Sequence, residues 1–230
     1  VVAGEGSGLA TVRMWRRRGG VARGVDELGG YASEARTPFV VRDGESILWG
    51  FAGAFLGCAR WRLVRPGATA IDLDVEQLAD GCRGLPVALR GDELWTIAAN
   101  NYFDDAPVVR LDLSNGDRRP VVVVPRARVV DAFMVGDVVY VSKLEYPSTA
   151  RVVAVDLATA SVRWTGPIMM SRGDTARFGD RVAWLDDGTL GAPARVVTAP
   201  LDPASSPPPA LLATLPGPAR GRVSSRAGSP

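Results

Sequence analysis

Apolar and polar residues alternate along this chain in short runs that break at Gly-polar pairs, and four of these runs share one design. Each has apolar residues, a Gly-polar turn, then apolar residues ending on an aromatic. They are Val40 to Trp49, Val87 to Trp95, Phe133 to Tyr140 and Ala176 to Trp184, turning at Gly44-Glu45, Gly91-Asp92, Gly136-Asp137 and Gly179-Asp180. Gly tolerates the positive φ that a tight hairpin turn needs, so a Gly-polar pair between two β-prone runs predicts a hairpin. The turn glycines fall 47, 45 and 43 residues apart. A period in this range implies stacked supersecondary units.

A second element follows each hairpin. Val108 to Leu113, Arg151 to Leu157 and Arg195 to Leu201 are similar, and Asp112 and Asp156 are 44 apart, as are Arg151 and Arg195. Short polar turns (Ser114 to Asp117, Ala158 to Ser161) then lead to a fourth run, Val121 to Val124 or Val162 to Trp164. Strand, tight turn, strand, longer loop, strand, tight turn, strand is a four-stranded meander, with no helical periodicity of comparable length against it. Four strands in such a period make a propeller blade. The expected fold is therefore all-β, a β-propeller of four-stranded antiparallel blades. Residues 39–214 hold four blades, about 39–86, 87–129, 130–172 and 173–214. Residues 1–38 hold a partial blade and linker, since Leu9 to Trp15 and Val21-Ala22 read as the last two strands of an earlier blade. Residues 215–230, rich in Pro, Gly, Ser and Arg, read as a disordered tail. A propeller must close to remove its edges, and this tail offers no strand to complete the partial blade. The expectation is the back part of a longer propeller.

The run Ala154 to Trp164 resembles the A-x-D-x-x-T-G-x-x-x-W signature of the quinoprotein-like (PQQ-like) propeller repeat. It departs from it at Ala160, where the family favours Gly. Asp112 to Gly116 matches a shorter part of the signature without the Trp. The resemblance implies propeller architecture, with the Trp docked on the neighbouring blade. It implies little about activity, because the family holds both cofactor-dependent dehydrogenases and non-catalytic scaffolds. A quinone site of that family would want a calcium held by acidic and amide side chains, with a disulfide beside the ring. No such set is recognisable, and no cofactor is expected.

Composition narrows the chemistry further. The formal net charge is +2 and the arginines are scattered, with one tight cluster at Arg16-Arg17-Arg18, so no nucleic-acid partner is expected. Of 27 basic residues only Lys143 is lysine, a bias that fits a GC-rich genome. The longest apolar run, Ile47 to Cys58, contains three glycines and falls short of the about twenty residues a membrane helix needs. The chain starts at Val1 without a charged-then-apolar leader, which fits a cleaved leader or an excised segment. There is no histidine, which removes Ser-His-Asp and Cys-His nucleophile systems, His-ligated zinc and the commonest general base. Gly4 to Gly8 lacks a flanking βα unit and reads as a loop rather than a phosphate cradle. No catalytic or metal-binding residue is therefore assigned.

Position in the blade singles out what remains. The connection from second to third strand looks long in every repeat: Gly50 to Ala59, Ala98 to Pro107, Lys143 to Ala150 and Asp186 to Ala194. A meander puts all four on one rim, and long loops on a rigid scaffold are where binding usually resides. The candidate partner-binding rim comprises Phe55, Asn101, Asp104, Asp105, Glu145, Tyr146, Asp186 and Asp187. Its acids suit hard cations or acid–base work, but Asn and Asp also populate loops because they tolerate turn geometry. The partner expected is basic or amide-rich on one side and apolar on the other. Trp49, Trp95, Tyr140 and Trp184 stand once per blade at matching places, and are expected to pack between blades. Cys58 and Cys82 are expected to form a disulfide, worth about 3 kcal/mol for such a loop. That bridge implies an oxidising compartment and an exported protein. Two readings of function stand: a non-catalytic propeller that binds a protein, peptide, small ligand or cell-envelope component at one rim, and part of a propeller enzyme, a quinoprotein-like oxidoreductase or hydrolase, with catalytic residues elsewhere. The absence of histidine favours the first.

Overall fold

The computed structural model describes residues 2–4, 9–18, 21–31, 37–52, 60–73, 84–98, 104–125, 128–145, 149–169, 175–186, 193, 195–201 and 210–214. The described residues form strands and turns, with no helix among them. A first sheet orders β1 (Val2–Gly4), β2 (Leu9–Arg18) and β3 (Val21–Tyr31) side by side. Four four-stranded antiparallel meanders follow. The first is β4 (Thr37–Asp43), β5 (Ser46–Ala52), β6 (Arg60–Val64) and β7 (Ile71–Leu73). The second is β8 (Gly84–Arg90), β9 (Glu93–Ala98), β10 (Ala106–Asp112) and β11 (Arg118–Val124). The third is β12 (Arg128–Val135), β13 (Val138–Glu145), β14 (Thr149–Asp156) and β15 (Ser161–Met169). The fourth is β16 (Thr175–Phe178), β17 (Arg181–Asp186), β18 (Arg195–Pro200) and β19 (Ala210–Thr214).

Every first hairpin closes as its sequence demands. The pairs Asp43↔Ser46, Arg90↔Glu93, Val135↔Val138 and Phe178↔Arg181 flank two-residue turns led by Gly44, Gly91, Gly136 and Gly179. These glycines have φ of +56°, +58°, +56° and +62°, while the residue after each stays out of the left-handed region. Gly at the first central position is what a type II′ hairpin turn requires. The same turns also bind the end of the third strand. Leu113, Leu157 and Leu201 each donate a backbone N–H to the carbonyl of the turn aspartate, Asp92, Asp137 or Asp180, at 2.8, 2.9 and 2.8 Å.

The chain divides into two compact units, Val1–Ala98 with Arg110–Arg119, and Ala99–Val109 with Pro120–Pro230. In the first, β4 lies along β8. Leu48, Trp61 and Leu63 of one blade pack on Leu89, Leu94 and Leu111 of the next, flanked by Phe39 and Val41. Phe39 meets Trp61 edge to face at 5.7 Å between centroids. In the second unit β12 lies along β16. There Tyr140, Val152 and Ala154 pack on Val182, Trp184, Ala199 and Leu201. Phe133 stacks on Tyr140 at 5.2 Å, and the buried Tyr140 hydroxyl donates to the Leu201 carbonyl at 2.9 Å. Burying an aliphatic side chain of this size contributes about 1.5–3 kcal/mol, so these inter-blade faces add substantially to the stability of each unit.

The ladders correct one expectation. The four aromatics are all buried, yet they do not occupy one register. Trp49 and Trp184 stand at the fourth pair from the turn (Val40↔Trp49, Thr175↔Trp184), whereas Trp95 and Tyr140 stand at the third (Ala88↔Trp95, Phe133↔Tyr140). One residue of difference flips the side chain to the other face of the sheet. Tyr140 and Trp184 therefore enter the same inter-blade cluster, each from its own blade. Trp49 turns away from the neighbour that Leu48 packs against, and Trp95 away from the one that Leu94 packs against.

A second difference concerns loop length. β13 runs to Glu145 and β14 starts at Thr149, paired as Lys143↔Arg151, Leu144↔Ala150 and Glu145↔Thr149. The expected long loop Lys143 to Ala150 is mostly ladder, because alternating side chains satisfy both a strand and its polar edge. The tail 215–230 lies outside the described residues.

Candidate binding rim

Antiparallel order sorts the connections by end. First-to-second and third-to-fourth turns leave one rim of each blade, and second-to-third connections and inter-blade linkers leave the other.

On the turn rim the polar groups are engaged with one another. Asp43 Oδ2 accepts the Gly91 N–H of the next blade's turn at 2.6 Å. Arg65 pairs with Asp92 of that same turn, and Arg110 pairs with Glu93 at 3.1 Å. Asp112 Oδ1 accepts both the Ser114 N–H (2.8 Å) and the Ser114 hydroxyl (2.6 Å). Hydrogen bonds from the Ser114 hydroxyl and then its backbone N–H hold the Asp112 carboxyl below its usual range, with Asn115 adding to the effect. In the next repeat the buried Asp156 accepts the Thr159 N–H at 2.9 Å. These two aspartates thus build the third-to-fourth turns, as short acidic side chains do when they bond their own backbone a few residues on. The turn after Asp112 contains Gly116 with φ +81°, and the turn after Asp156 contains Ala160 with φ +49° at the same place.

The other rim presents different chemistry. Asp104 and Asp105 are exposed and lead into β10. Glu145 is the last residue of β13, and Asp186 the last of β17, where it pairs in register with Arg195. Each stands at the second-to-third end of its own blade. Phe55, Asn101, Tyr146 and Asp187 lie outside the described residues, as do Cys58 and Cys82.

Sequence reasoning missed the polar ties between blades. Besides Asp43, these include Asp131 of β12, whose Oδ1 accepts its neighbour Ala132 N–H at 2.9 Å and whose Oδ2 accepts the Thr175 N–H at the start of β16 at 3.2 Å. A lone aspartate in an inner strand is the only signal such a tie leaves in the sequence.

No family model matches the chain, and no curated protein does either. Its fold does match solved structures. TolB from Acinetobacter baumannii superposes with a TM-score of 0.58 at 11% identity, over 84% of this chain and 46% of that one. This is a β-propeller fold. A prolyl endopeptidase, studied for the role of inter-domain dynamics in catalysis and specificity, matches with a TM-score of 0.55 at 10% identity, over 92% of this chain and 34% of its own. Prolyl oligopeptidase B from Galerina marginata, bound to a macrocyclization substrate, gives 0.51 at 12%, over 93% and 34%. The propeller chain described here spans less than half the length of each. At these identities the likeness is one of fold alone. No helix among the propeller's described residues is long and apolar enough to cross a membrane.

Proposed function

We propose that this chain is a non-catalytic propeller module that binds a protein, peptide or cell-envelope component through its second-to-third rim. The observation that carries this reading is the pair of exposed carboxylates, Asp104 and Asp105, at the end of the blade where the second-to-third connections lie. At the opposite end Asp43, Asp92 and Asp112 bond Gly91, Arg65 and Ser114. An acidic rim favours a basic or amide-rich partner, whose approach it would steer electrostatically. The Asp156 to Trp164 run supports reading the repeat as quinoprotein-like, with Ala160 as the departure. Export of the module belongs to the same reading through the proposed Cys58–Cys82 bridge. Alkylation of the unreduced, denatured protein should then find no free thiol, and labelling of both cysteines would remove the argument for export.

The test of the rim uses a fluorescent Arg/Lys-rich peptide and its acidic counterpart in anisotropy titrations. The unchanged protein should bind the basic peptide, with affinity falling as salt rises. Replacing Asp104, Asp105 and Glu145 together by Ala should weaken that binding about tenfold or more with the Tm nearly unchanged, since loss of surface charges costs little stability. Replacing Glu45 and Asp180 on the turn rim should leave it intact. The reverse pattern would place the working face at the other end.

A second reading is a propeller domain of a larger hydrolase. It is favoured by the prolyl peptidase structures, which match over nine-tenths of this chain with about a third of their own length. A full reading frame that encodes a hydrolase domain beside this one would select it.

A further inference from the structure

The turn between β10 and β11 reads Asp112-Leu113-Ser114-Asn115-Gly116-Asp117, and its middle is an exposed Asn-Gly pair. Gly116 carries no side chain to hinder attack by its own backbone nitrogen, and nothing lies within 4 Å of where a Cβ would stand. Asn115 Oδ1 accepts the Asp117 N–H at 2.8 Å, which draws electron density from Cγ and makes that carbon a better electrophile. Opposing this, the Gly116 N–H donates to the Asp112 carbonyl at 2.8 Å, and the Asp112 carboxylate holds the turn through Ser114. The nitrogen must leave the Asp112 carbonyl before it can attack.

We propose that Asn115 is a self-modification site, converted to aspartate and isoaspartate by its neighbour Gly116 at a rate gated by the Asp112 turn. The Gly116 nitrogen forms a bond to Asn115 Cγ, the Cγ–Nδ2 bond breaks, and Nδ2 leaves as ammonia with the proton lost by the attacking nitrogen. Water then opens the cyclic imide. Cleavage at the side-chain carbonyl restores the peptide bond with Asp at position 115, and cleavage at the main-chain carbonyl reroutes the chain through Cβ as isoaspartate. Either product adds a carboxylate between Asp112 and Asp117 and lowers the net charge from +2 by one. Isoaspartate also lengthens the main chain between them, so the Asp112 N–H to Asp117 carbonyl bond, 2.9 Å in the closed turn, is lost.

Two comparisons isolate the pair. The Asp43-Gly44 turn has similar local sequence, but it carries a carboxyl where Asn115 has an amide, so no ammonia can leave, and Asp43 is held by Gly91 N–H at 2.6 Å. In sequence Asn100 and Asn101 are followed by Asn101 and Tyr102, residues that carry a side chain where Gly116 has none; they serve as references within the same chain.

The full chain would be kept at mildly alkaline pH and body temperature and sampled by peptide mapping with mass spectrometry, with isoaspartyl methyltransferase labelling to separate the products. Asn115 should convert at least about tenfold faster than Asn100 or Asn101, as Gly in place of a bulky successor allows. Ser114→Ala and Asp112→Ala should each speed conversion, and Gly116→Ala should slow it, with melting curves run on every variant. In Asn115→Gln the labelled isoaspartate at this turn should vanish. Equal rates at all three asparagines, or no acceleration in both Ser114→Ala and Asp112→Ala, would overturn the proposal.

Discussion

Ala160 is a place where a single glycine should gain stability. It holds φ +49°, and it is the only non-glycine with positive φ among the described residues. An L-residue in the left-handed region is disfavoured by about 1–2 kcal/mol because Cβ crowds the following carbonyl oxygen. Glycine escapes that cost but loses more freedom on folding, which returns about 0.4–1 kcal/mol. Ala160→Gly should therefore stabilise the protein by about 0.5–1 kcal/mol. For a chain of this size that is a rise in Tm of about 1–4 °C. Far-UV circular dichroism melts and urea titrations at unchanged m-value would measure it. Two companions make the test sharp. Gly116→Ala imposes the same strain on the preceding blade's turn, and because its new Cβ meets nothing within 4 Å, the loss of about 0.5–1 kcal/mol would be conformational alone. Ala158→Gly lies in the same turn as Ala160 without a positive φ, so glycine there should only destabilise. If Ala160→Gly lowered the Tm as Ala158→Gly does, the assignment of strain to this turn would be wrong.

Other outcomes follow from the ties between blades. Asp43→Ala removes the acceptor of the Gly91 N–H and should cost about 1 kcal/mol in urea titrations, while Asp43→Asn, which still offers an oxygen, should recover most of it. Tyr140→Phe leaves the buried Leu201 carbonyl without its donor and should cost about 1–2 kcal/mol with little change in packing, and an unchanged midpoint would rule that bond out as a contributor. The Asp112 carboxyl is lowered in the folded protein, so its contribution is fully present above the usual value of 3.8 and is lost as the pH falls from there through the lowered value. A carboxyl-detected NMR titration should find it below 3.8, and Ser114→Ala should move it back up.

What the sequence made legible is the chemistry of local turns. Gly-polar pairs at a steady period determine hairpins within a few residues, so the four blades and their strand order could be read before any coordinates. Register was less legible, although the information was there. Gly44 and Trp49 are five apart, as are Gly179 and Trp184, whereas Gly91–Trp95 and Gly136–Tyr140 are four apart. A pattern that records only an aromatic at the end of a run hides this change of face. At Lys143 to Ala150, polar residues suggested a loop, but a strand edge tolerates polar residues equally well, and the ladder continued. The polar contacts between blades were not legible at all. Asp43 and Gly91 are 48 residues apart, Asp131 and Thr175 are 44, and Tyr140 and Leu201 are 61. An aspartate or tyrosine has many acceptable partners, and the chain alone does not say which is brought near. Of the candidate rim, the end of the blade was readable from strand order, and the structure added that at the opposite end Asp43, Asp92 and Asp112 bond Gly91, Arg65 and Ser114.

The two aromatic registers bear on how such a chain avoids assembling wrongly. Repeats that share a turn, a strand pattern and a length are at risk of docking in the wrong order while the chain is still partly folded. Here the faces to be joined differ in content. One junction is leucine-rich with one buried indole, Leu48, Trp61 and Leu63 against Leu89, Leu94 and Leu111; the other gathers a phenol and an indole, Tyr140 and Trp184, among small aliphatic side chains. If the β12–β15 blade offered its Tyr140 face to the β8–β11 blade, the hydroxyl that donates to the Leu201 carbonyl would be buried against Leu89, Leu94 and Leu111, whose side chains hold no acceptor. A buried hydroxyl without a partner penalises that error. Repeats with a shared pattern are in this way given different faces, and the chemistry of the two seams disfavours a wrong pairing of blades.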